Sequence, residues 1–336
     1  MEETKNSFEG DRCCTECNAA VLQTLVRDFT GGRLSHSLLL EGETGCGKKT
    51  MALQLAAAIL CKNPGEPPPC GHCAACRMAL ENRHPDLMLY SGKGKSRSFS
   101  VDQVREIRSS AFVLPNEGAV KVYILADVQE MTQEAQNAFL KILEEPPSHV
   151  VFILTCNNRK ALLETVLSRV KCYTLSNPPV DQCVRILSPR YPGTSAEELG
   201  RLAWYFDGNI GQTIAALEDP SLGKTVLQAG ELLLTAAGGS EFDLLLALSG
   251  FEKSKPLFQA LLGRIDLLMV RLLLFMDRAC EDPYGVLAPL SRKITRLQAV
   301  KIADIMKETT RNLEQNLNFS LLLTWFVSNL KDIFSQ

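Results

Sequence analysis

A glycine-rich run, Gly42-Glu43-Thr44-Gly45-Cys46-Gly47-Lys48-Lys49-Thr50, follows the short apolar segment Ser37–Leu40 and leads into a helical segment over Lys49–Leu60. Between a strand and a helix, such a run turns its backbone N–H groups and the helix N-terminus onto anionic oxygens, and Lys48 reaches the outer phosphates. The sequence therefore predicts a nucleotide-binding loop made by Gly42, Gly45, Gly47, Lys48, Lys49 and Thr50. One position departs from the usual pattern. Lys49 stands where a Ser or Thr would ligate Mg²⁺, with Thr50 one place late, which weakens the case for magnesium-dependent hydrolysis.

One helix length further on, Cys61, Cys70, Cys73 and Cys76 form a quartet with eight, two and two intervening residues. Four soft ligands close a tetrahedral Zn²⁺ shell and leave no position for water or substrate, so the quartet reads as a structural site. His72 lies within it and could replace a sulfur, but four thiolates suffice. A redox dithiol would account for one Cys-x2-Cys pair and leave the other cysteines unexplained. Cys13, Cys14 and Cys17 also cluster but supply only three ligands.

At 336 residues and 46% apolar composition the chain has room for two or three domains with ordinary buried cores. The polar N-terminus carries no secretory signal, and the longest apolar stretch, Leu257–Met276, is interrupted by Arg264, Asp266 and Arg271, so a cytoplasmic protein without a membrane span is expected. In that compartment 12 cysteines do not mean six disulfides. A formal charge of −2 disfavours a chain that grips nucleic acid by bulk basicity.

From about Leu34 to Tyr173, short apolar strands alternate with amphipathic helices, the pattern of a mostly parallel sheet. Strands are predicted at Ser37–Leu40, Leu87–Tyr90, Val120–Leu125, Val150–Thr155 and Val170–Leu175, and further helices at Val101–Phe112 and Thr132–Leu143. Pro146-Pro147 ends the last of these. Beyond Pro178-Pro179 the pattern is helical throughout. Three regions are predicted: 1–177, an α/β nucleotide-binding domain with the cysteine module at 61–76; 178–220, a small helical domain; and 221–336, an all-α domain.

Two further positions bear on chemistry. The strand Lys121–Leu125 runs into Ala126-Asp127, where an NTPase would present an Asp for Mg²⁺ and a Glu to orient water; a methyl group cannot hold a magnesium shell, and Asp is a methylene shorter than Glu. Arg169, after a helix and before a strand, is placed to project from the domain edge.

These residues, with Ser35-His36, His84-Pro85-Asp86, Val101-Asp102-Gln103, Asn137 to Pro147 and Ser168-Arg169, resemble the clamp-loader members of the AAA+ group from about residue 18 through the helical tail. The resemblance implies an AAA+ P-loop domain, a helical lid and a helical collar that joins subunits into a ring. The motor subunits of that family, gamma and tau of bacterial DNA polymerase III, would carry Asp at Ala126, Glu at Asp127 and a lid arginine at Gly211. This chain lacks all three and so resembles the non-hydrolysing delta-prime branch. Val170 in place of the cysteine of a Ser-Arg-Cys run is a minor departure.

The resemblance implies a component of the DNA polymerase III holoenzyme without ATPase activity of its own. It would work in a heteropentamer with gamma/tau and delta, acting on the sliding clamp and primer-template DNA through the assembled complex. Arg169 would be an arginine finger acting in trans, and ATP or ADP would be held without hydrolysis. The alternatives are an active motor of the same architecture, a stand-alone zinc-containing nucleic-acid-binding protein, which the acidic balance disfavours, and a small-molecule kinase, for which the magnesium ligand is missing.

Overall fold

Alternation of side chains along three buried strands determines the layering of the first half of the chain. The structure, a computed structural model, describes residues 18–63, 68–92, 99–251, 254–315 and 318–335. Cys13, Cys14, Cys17 and part of the proline-rich segment 64–69 lie outside the described residues. Two compact units are present, Met1–Pro178 and Pro179–Gln336.

In the first unit β1 (Ser37–Glu41), β2 (Leu87–Ser91), β3 (Lys121–Ala126), β4 (Val150–Cys156) and β5 (Lys171–Thr174) form one five-stranded sheet in the order β2-β3-β4-β1-β5. Every neighbouring pair is parallel. Parallel strands need crossovers, and crossovers place helices on both faces. The inner strands are correspondingly apolar on both sides: all of β3 and β4 is buried. Leu39, Tyr123, Leu125, Phe152 and Leu154 belong to one core, with α4 (Val101–Ala111) and α5 (Gln133–Glu144) over it. Leu38, Leu40, Val122, Ile124, Val151 and Ile153 belong to the other, beneath α1 (Ala19–Thr30), α2 (Lys48–Ile59) and α3 (Ala74–Leu80). The edge strand β5 is mostly exposed.

The predicted strands and helices agree with the observed ones to within one residue at each end. Thr132 caps α5, its hydroxyl accepting from the Ala135 N–H at 3.2 Å, and Ser100 with Gln103 forms a capping box on α4. Two helices of this unit were not anticipated, α1 and α3; the helix expected before Arg169 is the single turn α6 (Glu164–Leu167).

The His84-Pro85-Asp86 segment has a structural task. Asp86 is 0% exposed and accepts from the backbone N–H groups of Asn116, Glu117 and Gly118, the last two at 2.8 and 2.9 Å. Burial alone would raise its pKa, but these donors outweigh it and hold the carboxyl below the usual range.

The second unit is helical. It comprises α7 (Val180–Leu187), α8 (Ala196–Tyr205), α9 (Ile210–Glu218), α10 (Pro220–Leu227), α11 (Ala229–Gly238), α12 (Glu241–Ser249), α13 (Lys255–Met276), α14 (Leu287–Ser291), α15 (Arg296–Glu314) and α16 (Phe319–Ser335). One buried apolar cluster extends from Leu202 to Ile333. Arg264 and Arg271 of α13 hold the C-terminal end of α8: Arg264 donates to the Tyr205 carbonyl at 2.8 Å and Arg271 to the Trp204 carbonyl. The Arg271 guanidinium also lies 4.3 Å from the Trp204 ring centroid and pairs with Asp207 at 2.6 Å. Cations at a helix C-terminus meet the negative end of its dipole, so these arginines tie two helices together. Among the described residues no helix is long and apolar enough to cross a membrane.

Replacing Asp86 by Ala leaves three backbone donors unpaired at a buried position and is expected to cost about 1–3 kcal/mol at neutral pH. Because the folded pKa is depressed, this stabilisation is fully present above about pH 4, the ordinary Asp value, and is lost as pH falls through the lower folded value. Hydrogen exchange at the Glu117 and Gly118 amides, faster in the variant at pH 7, checks it.

Candidate functional site

The parallel register brings the carboxyl ends of β1, β3 and β4 together, because Glu41 pairs with Cys156 and Leu125 with Leu154. Ligands of open α/β sheets bind at this edge. The loop after β1 has the backbone that its glycines permit, with φ of 90° at Gly45 and 92° at Gly47. At Gly42 a Cβ would stand 2.7 Å from the Cys46 sulfur and 2.9 Å from the Leu175 carbonyl oxygen, so only glycine fits there.

Lys48 is 7% exposed at the start of α2. Its ammonium donates to the Gly42 and Glu43 carbonyls, each at 2.8 Å, and to Asn157 Oδ1 at 2.7 Å. An ammonium has three donors, and these three acceptors match them. The loop therefore keeps a phosphate-binding shape while its cation is bonded to the loop itself. Lys49 is exposed on the first turn of α2 and Thr50 is half-buried.

Ala126 ends β3 as a buried methyl. Asp127 follows in the left-handed region at φ 58°, and its N–H donates to Thr155 Oγ1 at 3.0 Å. Asp127, Gln129, Glu130, Asn157, Thr44 and Ser91 line a cleft of about 330 Å³ at the mouth of the loop. Asn157 is the residue that the sequence reading missed. Gln129 Oε1 accepts its backbone N–H at 3.2 Å, while its side chain takes up Lys48, so it links the ends of β3 and β4 to the phosphate loop. A polar residue just after the predicted strand Val150–Thr155 was the available signal.

The four cysteine sulfurs of Cys61, Cys70, Cys73 and Cys76 all lie within 4.8 Å of one another. Cys61 follows the end of α2, and Cys73 is the N-cap of α3. The Cys73 N–H donates to Cys70 Sγ at 3.5 Å and the Cys76 N–H to Cys73 Sγ at 3.4 Å, bonds that favour thiolates. Burial alone would raise the Cys73 thiol. The Cys76 and Lys62 backbone donors and the neighbouring side chains outweigh that and lower it to about 6. Cys76, fully buried, donates to the Ala57 carbonyl at 3.4 Å and anchors the module to α2. Spacing, closeness and N–H donors all fit a metal ion.

Arg169 sits between α6 and β5, as the sequence reading placed it. Its side chain is folded back along α6. One terminal nitrogen donates to the Thr165 carbonyl at 2.9 Å and to Ser168 Oγ at 3.2 Å, and the other to Glu144 Oε1 at 2.7 Å.

A glycine-rich loop on a five-stranded parallel sheet, followed by a helical unit, defines the class: an AAA+ type fold. A family model described as DNA polymerase III, delta subunit, matches residues 17–179. The DNA polymerase III subunit delta′ of Escherichia coli K12 is 30% identical over 229 residues, 68% of each chain. That of Pseudomonas aeruginosa is 33% identical over 174 residues, 51% of this chain and 53% of the relative. The tau subunit of E. coli K12 is 33% identical over 162 residues, 48% of this chain and 25% of tau. The chain belongs to the delta-prime family of DNA polymerase III clamp-loader subunits.

Protein purified without chelator is expected to carry about one thiophilic metal ion per chain, and Cys70→Ala to lose it. Elemental analysis of both proteins makes the measurement; metal-free wild-type protein contradicts the assignment.

Proposed function

We propose that this chain is the stationary, non-hydrolysing member of a clamp-loader ring, and that it lends Arg169 to a neighbouring subunit's ATP. The observation that carries this reading is the end of β3. Ala126 presents a buried methyl where a motor would hold Mg²⁺, while the glycines and Lys48 of the loop remain. Gly211, on the first turn of α9, likewise offers no side chain where a motor's lid arginine would stand. A site with the phosphate cradle but without its acids can hold ATP or ADP through Gly42, Gly45, Gly47, Lys48, Lys49 and Thr50 and not turn it over.

In this reading 178–220 is the lid and 221–336 the collar, and the ring is a cytoplasmic heteropentamer with gamma/tau motors and delta. The assembled complex, an element of the DNA polymerase III holoenzyme, opens the sliding clamp and sets it on primer-template DNA. Arg169 stabilises charge on the phosphoryl group transferred in the adjacent motor. Zn²⁺, held by Cys61, Cys70, Cys73 and Cys76, takes no part in the chemistry and keeps the module folded on α2.

Arg169→Ala is expected to leave the ring assembled and to slow the single motor site it serves by roughly 10³-fold or more. The check is DNA-stimulated ATPase of the reconstituted complex, with assembly followed by size-exclusion chromatography. An assembled mutant ring with wild-type ATPase overturns the role of Arg169.

A further inference from the structure

We infer that Glu144 is a positioning residue for Arg169: it holds the guanidinium on its own domain and thereby keeps the arginine off a neighbour's phosphate until the ring closes correctly. The inference rests on the reading of Arg169 as a residue acting in trans and adds a control on it.

The geometry is specific about which atoms are committed. A guanidinium recognises a phosphoryl group with N–H donors presented along one edge of its plane. Both terminal nitrogens of Arg169 are instead turned inward, one onto the Thr165 carbonyl and Ser168 Oγ, the other onto Glu144 Oε1. Thr165 and Ser168 flank the arginine in sequence and travel with it. Glu144 is the last residue of α5, 25 positions earlier, and is the contact that must break for the side chain to leave the surface.

Electrostatics point the same way. The Glu144 carboxylate lies 2.7 Å from the guanidinium nitrogen that a phosphate would seek. A polyanionic phosphate approaching that nitrogen is repelled by the carboxylate and competes with it for the same donor. Carboxylate and phosphate are thus alternative partners. The competition is small enough to be reversible: the arginine side chain is 35% exposed and the glutamate 49%, and ion pairs of such exposure hold weakly. The position of Glu144 supports a switch of this kind. It ends α5, which packs over the sheet core, and is followed by Glu145-Pro146-Pro147, after which the chain passes to β4. The carboxylate is therefore mounted on the rigid end of a packed helix, while the arginine hangs from a single helical turn.

The test has two arms, both with Glu144→Gln, which keeps the shape and an acceptor oxygen but removes the charge. In the isolated full-length chain labelled with ¹⁵N-arginine, rotation of the Arg169 terminal N–H₂ groups is expected to be faster in the variant than in wild type. In rings reconstituted with motor subunits, basal ATPase without clamp or DNA is expected to rise about two- to five-fold, the worth of an exposed ion pair. DNA-stimulated turnover should stay close to wild type, and the rise should vanish in the Glu144→Gln, Arg169→Ala double variant. Unchanged rotation overturns the latch, and so does faster rotation with unchanged or lowered basal ATPase. Failure of the underlying reading is seen separately, as an Arg169→Ala ring with wild-type ATPase, and overturns both.

Discussion

The pairing of β1 with β4 is the constraint on which the rest of the site depends. It sets Glu41 beside Cys156, so the phosphate loop and Asn157 leave the sheet side by side. The Gly42 N–H then bonds the Cys156 carbonyl at 3.2 Å, and Lys48 reaches Asn157. On the other side of β4, its register with β3 places Thr155 to receive the Asp127 N–H and lets Gln129 hold Asn157. A slip of β1 by one residue would exchange Leu39 with Leu38 and Leu40 between the two cores and part the phosphate loop from Cys156 and Asn157.

Within this frame, binding shape and hydrolytic chemistry come apart. The loop's shape follows from glycine backbone angles and from the tight approach at Gly42, both indifferent to the residues at the end of β3. The chemistry needs acids, and Ala126 removes one by a single side chain without disturbing the sheet. A buried methyl fits at that place in the sheet, so the proposed absence of hydrolysis is compatible with the intact fold. The cysteine module and the arginine lie outside the cleft, on α2–α3 and after α6.

Much of this was legible in the sequence where the signal is local. Inner strands buried on both faces read as continuous apolar runs, and the phosphate loop and the cysteine quartet are patterns within a few residues of chain. What escaped was non-local or short. α3 begins inside the quartet, where Cys73 serves as cap and ligand candidate at once. Asn157 is separated from Lys48 by 109 residues and Glu144 from Arg169 by 25, so their contacts exist only once the sheet has formed. The arginine's position was readable, its folding back onto Glu144 was not, because an exposed ion pair leaves no periodicity behind.

The central claim is that this chain carries a nucleotide-shaped site without the chemistry to use it, and that its contribution to ATP turnover is made on a neighbour. Hydrolysis of MgATP by the isolated chain, measured before and after addition of the motor subunits, tests it most directly. The account predicts no turnover above background from the chain alone and a rise in turnover by the motors when it joins them. Hydrolysis by the isolated chain that disappears in Lys48→Ala would contradict it.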